Sequence, residues 1–270
     1  FSSRRRHTRY ISVTGVQTCA LPIYTFTYDN APLKKRNNLW WETSFTSAGN
    51  LTSLVYAAFG KGFKETDKKL LNSPYAQFLK MTSEVRCLFK VGEKQHIATR
   101  LMGGILYAYG NQTVAPYSEQ FYIGGANSIR AFTVRSIGPG SYRPEDKQYG
   151  YLDETGDVKL EANVEYRFPI LGDLYGAAFL DAGNVWLLRE QKNEEGENIR
   201  PGGLLTLRNF AKSIALGTGV GLRYDLTFLV IRLDLGIALH DPYDTGKKGY
   251  YNIPKFKDGL GLHFAIGYPF

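Results

Sequence analysis

The chain has 270 residues, a net charge of +8, a mean hydropathy of −0.27 and 14% aromatic residues, among them 19 Tyr. No run approaches the ~18 apolar residues of a membrane-spanning helix, and its two cysteines, Cys19 and Cys87, exclude a disulfide framework. Neither fact excludes a membrane barrel built from strands, because strands that alternate between lipid and lumen average to a low hydropathy.

Residues 1–23, FSSRRRHTRYISVTGVQTCALPI, hold four arginines and no acid. They lack the apolar core and cleavage site of a signal peptide, share no periodicity with the rest of the chain, and resemble translated sequencing-adapter read-through. They are read as non-native. Without Arg4, Arg5, Arg6 and Arg9 the balance is 29 basic against 25 acidic residues, a net +4, too weak to point to nucleic acid. Residues 24–37, YTFTYDNAPLKKRN, read as the end of an earlier strand and a periplasmic turn, so the chain is expected to start inside a barrel.

From Tyr24 the sequence reads as β throughout. Five segments carry period-two alternation with some irregularity: roughly 38–48, 78–90, 96–109, 158–168 and 174–186. In 158–168, Glu161, Asn163, Glu165 and Arg167 share one face, and Leu160, Ala162, Val164, Tyr166 and Phe168 the other. Three later segments are cleaner. In 214–224 one face is Ile214, Leu216, Thr218, Val220, Leu222 and Tyr224, and the other is Ala215, Gly217, Gly219, Gly221 and Arg223. In 229–239, Leu229, Ile231, Leu233, Leu235, Ile237 and Leu239 oppose Arg232, Asp234 and Gly236. In 260–270, Leu260, Leu262, Phe264, Ile266, Tyr268 and Phe270 oppose Gly261, His263, Ala265, Gly267 and Pro269. A soluble sandwich would show bulky residues inside and Lys, Glu and Thr outside. A bulky face opposed by glycine and charge is the pattern of a transmembrane strand with lipid outside and a crowded lumen inside.

Short connections at 90–95, 169–173 and 225–226 alternate with long ones at about 49–77, 110–157, 187–213 and 240–259. Short periplasmic turns and long extracellular loops are the habit of outer-membrane barrels. The fold class is therefore all-β, an antiparallel transmembrane barrel of about eight strands over 24–270. Eight strands can close by themselves, but a large folded loop asks for a wider lumen.

That loop, at about 110–157, holds the stretch FYIGGANSIRAFTVRSIGPGSYR at 121–143. Gly124, Gly125, Gly138 and Gly140 permit turns, and Ile129-Arg130-Ala131-Phe132 sets a cation among apolar groups. The stretch resembles the sixth extracellular loop of the BamA/TamA-type outer-membrane assembly barrels, the bacterial surface antigen family. That family carries a Val/Ile-Arg-Gly-Phe/Tyr tetrad there, and Ala131 departs from its usual glycine. The resemblance covers about 24–270. It implies a sixteen-stranded barrel preceded by POTRA domains, of which this chain would be the C-terminal part.

Two further segments match the family's motifs in the strands after the loop: Asn163 to Pro169, containing Glu165, and Phe179 to Trp186, containing Asp181. The resemblance implies that Arg130 reaches into the lumen and pairs with these acids, a task suited to a planar guanidinium that stays charged. It also implies a non-covalent activity: a client β-barrel strand enters at a seam between the first and last strands and passes into the bilayer. Partners would be outer-membrane lipid, client barrels and periplasmic or lipoprotein accessory subunits, in a bacterial outer membrane. Gly261, Gly267 and Pro269 would weaken closure at the seam, and the C-terminal Gly267, Tyr268 and Phe270 would serve as seam and assembly signal. The competing classes are a passive channel and the membrane anchor of an enzyme encoded upstream. No nucleophile elbow, phosphate loop or zinc spacing is present in the sequence, so neither enzyme, cofactor nor metal is expected. The acidic run Asp153 to Asp157 reads as a solvated turn.

Overall fold

The computed structural model describes residues 22–31, 37–60, 62, 65, 68–70, 73–144, 154–192, 195–208, 210–226 and 228–270. The reading of 1–21 as non-native lies outside these residues. Pro22 and Ile23 lie within them: the Pro22 carbonyl accepts from the Ser47 amide at 3.2 Å, and Ile23 opens the first strand.

Nine strands build one antiparallel sheet in which every strand pairs with its neighbour in the chain. They are β1 (Ile23–Asp29), β2 (Asn37–Ala48), β5 (Gln77–Lys90), β6 (His96–Tyr109), β7 (Val158–Leu171), β8 (Leu174–Trp186), β9 (Ala215–Asp225), β10 (Val230–His240) and β11 (Leu260–Ile266). A helix, α1 (Asn50–Ala58), and a two-residue hairpin, β3 (Lys69–Leu70) with β4 (Ser73–Pro74), occupy the connection from β2 to β5. Among the described residues β1 and β11 do not pair, so the sheet is an open barrel fragment.

The expected fragment of about eight antiparallel strands is present with nine; the ninth is IYTFTYD at β1, the end of the earlier strand read from the sequence, paired from Ile23↔Thr46 to Asp29↔Trp40. The expectation of β structure throughout is corrected by α1. The closing strand is also shorter than 260–270. It stops at Ile266, where Gly267 takes a φ of +86° that an L side chain resists, so Pro269 lies beyond the strand.

The alternation sorts the two faces of the wall. Val220, Leu222 and Tyr224 are exposed on the outside of β9, while Gly217, Gly219 and Arg223 are buried inside. Leu262, Phe264 and Ile266 continue the outer face on β11. In a bilayer the outer backbone can satisfy its polar groups only through the strand ladders, and the long registers do this: β5 and β6 pair without a break from Gln77↔Tyr109 to Lys90↔His96. Two polar side chains on the outer face, Thr43 and Ser83, pair with each other at 3.0 Å, and Trp41 Nε1 donates to Ser83 at 3.1 Å. Some large apolar residues turn inward instead, Phe78 and Leu106 under the loop among them. Phe179 also points into the lumen, for a reason the site supplies.

Candidate functional site

The long connection from β6 to β7 folds back against the lumen face. Phe121 and Gly156 exchange both backbone hydrogen bonds at 2.9 Å, which closes the base of the loop. This corrects the reading of the acidic run as a solvated turn: Thr155 is buried and Gly156 is paired, while Asp153 lies outside the described residues. The tip of the Phe121 ring abuts Gly104 of β6, where a Cβ would come within 2.5 Å of its Cζ.

Beyond the base the chain makes a tight lobe. Arg135 N donates to Ile123 O at 2.9 Å, Gly125 N to Phe132 O at 2.8 Å, and Ser128 N to Gly125 O at 3.0 Å. Gly124 and Gly125 have φ of +97° and +91°, and side chains there would also strike Thr133 and Val134. Ile129 is fully buried, Ala131 nearly so, and Phe132 packs partly buried against both. The lobe thus presents its tip, Asn127 to Ala131, to the wall.

At that tip Arg130 is 0% exposed. Its guanidinium grips Asp181 of β8 as a fork, Nε to Oδ2 at 2.8 Å and Nη2 to Oδ1 at 2.9 Å, and its backbone amide donates to the same Oδ2 at 3.1 Å. Nη1 donates to Glu165 of β7. The guanidinium carbon sits 3.6 Å from the centre of the Phe179 ring, which explains the inward aromatic: it forms a π face beneath a desolvated cation. Burial alone would weaken the hold of Arg130 on its proton, but Asp181 and Glu165 outweigh that and raise its pKa.

The loop backbone needs a floor as flat as the side chain's socket is polar. Glycines on three consecutive strands provide it. A Cβ on Gly236 of β10 would lie 2.6 Å from the Arg130 carbonyl carbon, one on Gly217 of β9 would lie 2.5 Å from Ala131 Cβ, and one on Gly261 of β11 would lie 3.1 Å from Arg130 O. Gly217, Gly236 and Gly261 are therefore the footprint of the loop, while Gly219 makes room for the Phe179 ring.

Several participants were not legible as such. Glu165 is shared by three arginines: Arg130, Arg167 at 2.7 Å and Arg223 of β9 at 3.0 Å. Arg223 continues to Asp234 at 2.5 Å, and Asp234 to Arg232 at 3.2 Å, all fully buried. Asn163 donates to Asp181 and to the Ser128 carbonyl, each at 2.9 Å. A second cluster holds the other flank of the tip: Arg232 donates to Ala126 O and Asn127 Oδ1, Arg100 to Asn127 O and Glu161, and Ser128 Oγ to Glu161. The sequence shows these charges on the lumen faces, but their pairing depends on register, which sets Arg223 opposite Arg232 and leaves Asp234 to separate them.

The C-terminal residues Gly267, Tyr268 and Phe270 are not part of the tip. After the turn at Gly267 the chain brings both rings over Arg167, at 4.2 Å for Tyr268 and 5.9 Å for Phe270. Arg167 is in turn bonded to Glu165, so the C-terminal turn and Arg130 share one carboxylate. Among the described residues no group of three or more His, Cys, Asp or Glu is placed to hold a metal ion.

The family model described as the Omp85 superfamily domain matches residues 68–270. The outer membrane protein assembly factor BamA of Neisseria meningitidis serogroup B is 32% identical over 88 residues, covering 31% of this chain and 11% of that protein. Sorting and assembly machinery component 50 homolog A of Xenopus laevis is 31% identical over 148 residues, covering 54% of this chain and 29% of that protein. The crystal structure of BamA from Haemophilus ducreyi lacking POTRA domains 1–3 aligns with 92% of this chain and 54% of its own, at 15% identity and a TM-score of 0.46. The chain spans less than a third of these curated relatives and about half of that crystallised chain.

Proposed function

From the premise that the chain belongs to the Omp85 superfamily, as a BamA/TamA-type member, we propose that it is the C-terminal barrel part of a factor that assembles or inserts proteins in a bacterial outer membrane. In this reading the loop tip is a latch. It holds the lumen side of the wall rigid while the edge of β11 accepts a client strand. An unpaired edge is a template for an incoming strand, and a bilayer penalises an edge left open, so the client leaves by pairing onward into lipid. Client barrels, lipid and accessory periplasmic or lipoprotein subunits are the partners this reading calls for.

The single observation that carries it is the span of the latch. The side chain of Arg130 is bonded to β7 and β8, its carbonyl rests on Gly236 of β10 and Gly261 of β11, and the adjacent Ala131 rests on Gly217 of β9. Two adjacent residues of the tip therefore touch all five strands that end at the open edge. The shared carboxylate Glu165 extends the tie through Arg167 to the turn after β11.

The test is Arg130→Ala in the full-length protein, scored for client assembly and for the amount of folded barrel in the membrane. Assembly should fall further than barrel level does. The double reversal Arg130→Glu with Asp181→Arg should recover part of the loss. Wild-type assembly in Arg130→Ala refutes the latch, and a large steady single-channel conductance of the wild-type protein would favour the passive channel instead.

A further inference from the structure

The connection after β2 opens with α1, which starts where Gly49 turns the chain at a φ of +68°. Its contacts fix the side of the wall on which it lies. Asn50 Nδ2 donates to Ser47 Oγ at 2.7 Å, and Asn50 Oδ1 accepts from the Tyr109 hydroxyl at 2.5 Å. Ser47 and Tyr109 share the outward alternation of Phe45 on β2 and Tyr107 on β6. The protein side of the helix is completed by Ser53, buried and hydrogen-bonded to the Tyr75 hydroxyl at 2.7 Å, and by Tyr56, stacked on the Tyr75 ring at 6.5 Å. The helix thus leans on the outside of the barrel, at its loop end.

Its other side is apolar and uncovered. At about 100° per residue, Leu51, Leu54, Val55, Ala58 and the adjoining Phe59 fall in one arc roughly 140° wide with no polar residue in it. Leu51, Leu54, Val55 and Phe59 are 66%, 60%, 52% and 84% exposed. A surface helix keeps such a stripe for a core, and this one faces away from the protein. The stripe continues downward into the outer face of the barrel, where Phe45, Leu79 and Tyr107 are each about half exposed. Tyr107 and Tyr109, stacked at 6.0 Å, stand at the junction, the position interfacial aromatics take in membrane proteins.

We propose that α1 lies in the membrane interface at the loop end of the barrel, with Leu51, Leu54, Val55 and Phe59 seated among the acyl chains of that leaflet. The helix would fix the height of the β2–β5 connection against the bilayer, as interfacial amphipathic helices do. The proposal rests on the barrel being embedded in lipid and not on its role in assembly.

The experiment uses the full-length protein in a cysteine-free background, with single cysteines replacing Leu54, Phe59 or, on the outer face of β9, Leu222. Each is labelled with a nitrobenzoxadiazole dye and reconstituted in phosphatidylcholine vesicles with plain or brominated acyl chains. Only barrels that migrate as folded on unheated gels are scored. The Leu54→Cys and Phe59→Cys labels should emit to the blue of their emission in water and be quenched by bromine, more by bromines near the headgroup than by those at the chain ends. A quenched Leu222→Cys label with water-like, unquenched labels on α1 overturns the proposal and leaves the embedded barrel standing. Shielding of the α1 labels that appears only when a second protein is added also overturns it, in favour of a protein-binding face. An unquenched Leu222→Cys label overturns the embedded barrel and this proposal together.

Discussion

Gly236→Ala is the sharpest probe of how the loop is seated. The new Cβ would lie 2.6 Å from the Arg130 carbonyl carbon and 2.7 Å from Ala131 Cα, with the Arg130 carbonyl oxygen nearer still. All three are backbone atoms, so no rotamer change relieves the clash. Carbons rest at ~3.5–4.0 Å, so the tip must rise by about 0.9 Å or β10 must bend. A rise of that size would stretch the fork to Asp181, now 2.8 and 2.9 Å, to about 3.7 Å, beyond hydrogen-bond range.

Overpacking alone costs about 1–3 kcal/mol, and parting a buried ion pair about 3–5 kcal/mol. Because the tip can relieve one at the expense of the other, the expected loss is about 2–4 kcal/mol. Gly103→Ala is the control, since a Cβ there meets nothing within 4 Å, and its effect should stay within about 0.5 kcal/mol. Guanidinium unfolding of the detergent-folded barrel, read by linear extrapolation, measures the difference, and limited proteolysis of 121–143 reports whether the loop has lifted. A Gly236→Ala protein that matches Gly103→Ala in both would refute the account of the glycine floor.

The same geometry fixes three further outcomes. Asp181→Ala should cost about 3–5 kcal/mol because it strands a buried guanidinium, and Asp181→Asn should cost less because Oδ1 can still accept from Arg130; equal losses in unfolding titrations would contradict this. Tyr243→Phe removes the hydroxyl that accepts from Gly138 N at 2.9 Å and donates to Ser136 O at 3.0 Å, leaving two backbone groups unpaired at about 1–3 kcal/mol; cleavage within 136–144 should quicken, and unchanged cleavage would show that the contact holds nothing. Leu222→Lys puts a charge on the outer face and should cost about 2–4 kcal/mol if that point lies near the bilayer midplane, so the fraction folding into vesicles should fall; undiminished folding would move Leu222 out of the lipid belt.

The strands were legible because a membrane barrel imposes a two-residue period with unusually strong contrast, bulky against glycine, along β9, β10 and β11. β1 was harder. Its seven residues carry Thr25 and Thr27 where later strands carry glycine or charge, so only the pairing with β2 marks it as a full strand. α1 escaped because nine residues give little more than two turns and no side-chain cap announces them. Within the site, Arg130, Glu165 and Asp181 stood out through the family motifs around them. Arg167, Arg223, Arg232 and Asp234 lay on visibly polar faces, but which charge meets which is set by inter-strand register, and a sequence read one strand at a time does not contain that. The C-terminal turn was missed because Tyr268 and Phe270 continue the alternation past Gly267, where the backbone does not.

The charge arrangement also bears on whether the loop moves. Without the tip, Glu165 would still be held by Arg167 and Arg223, but Asp181 would keep only the amide of Asn163. Across β9 and β10, Arg223 stands directly opposite Arg232, and like charges so placed destabilise a sheet. Asp234 bridges the two, while the loop's Ala126 and Asn127 take donors of Arg232 that would otherwise face the lumen unpaired. The wall and the tip thus complete one another's pairing. Withdrawing the loop would break the buried Arg130 pair at about 3–5 kcal/mol, before any loss from Ile129 and Phe132. At the edge of β11 the tie is thinner: the Arg130 carbonyl only rests on Gly261, and the C-terminal turn reaches the network only through the Tyr268 and Phe270 rings over Arg167. The register of β11 with β10 covers seven residue pairs, against ten between β8 and β9 along the same wall. Motion is therefore least costly at the edge and most costly at the Arg130 tip, the division of labour that the proposed opening at a seam beneath a fixed lumen loop would require.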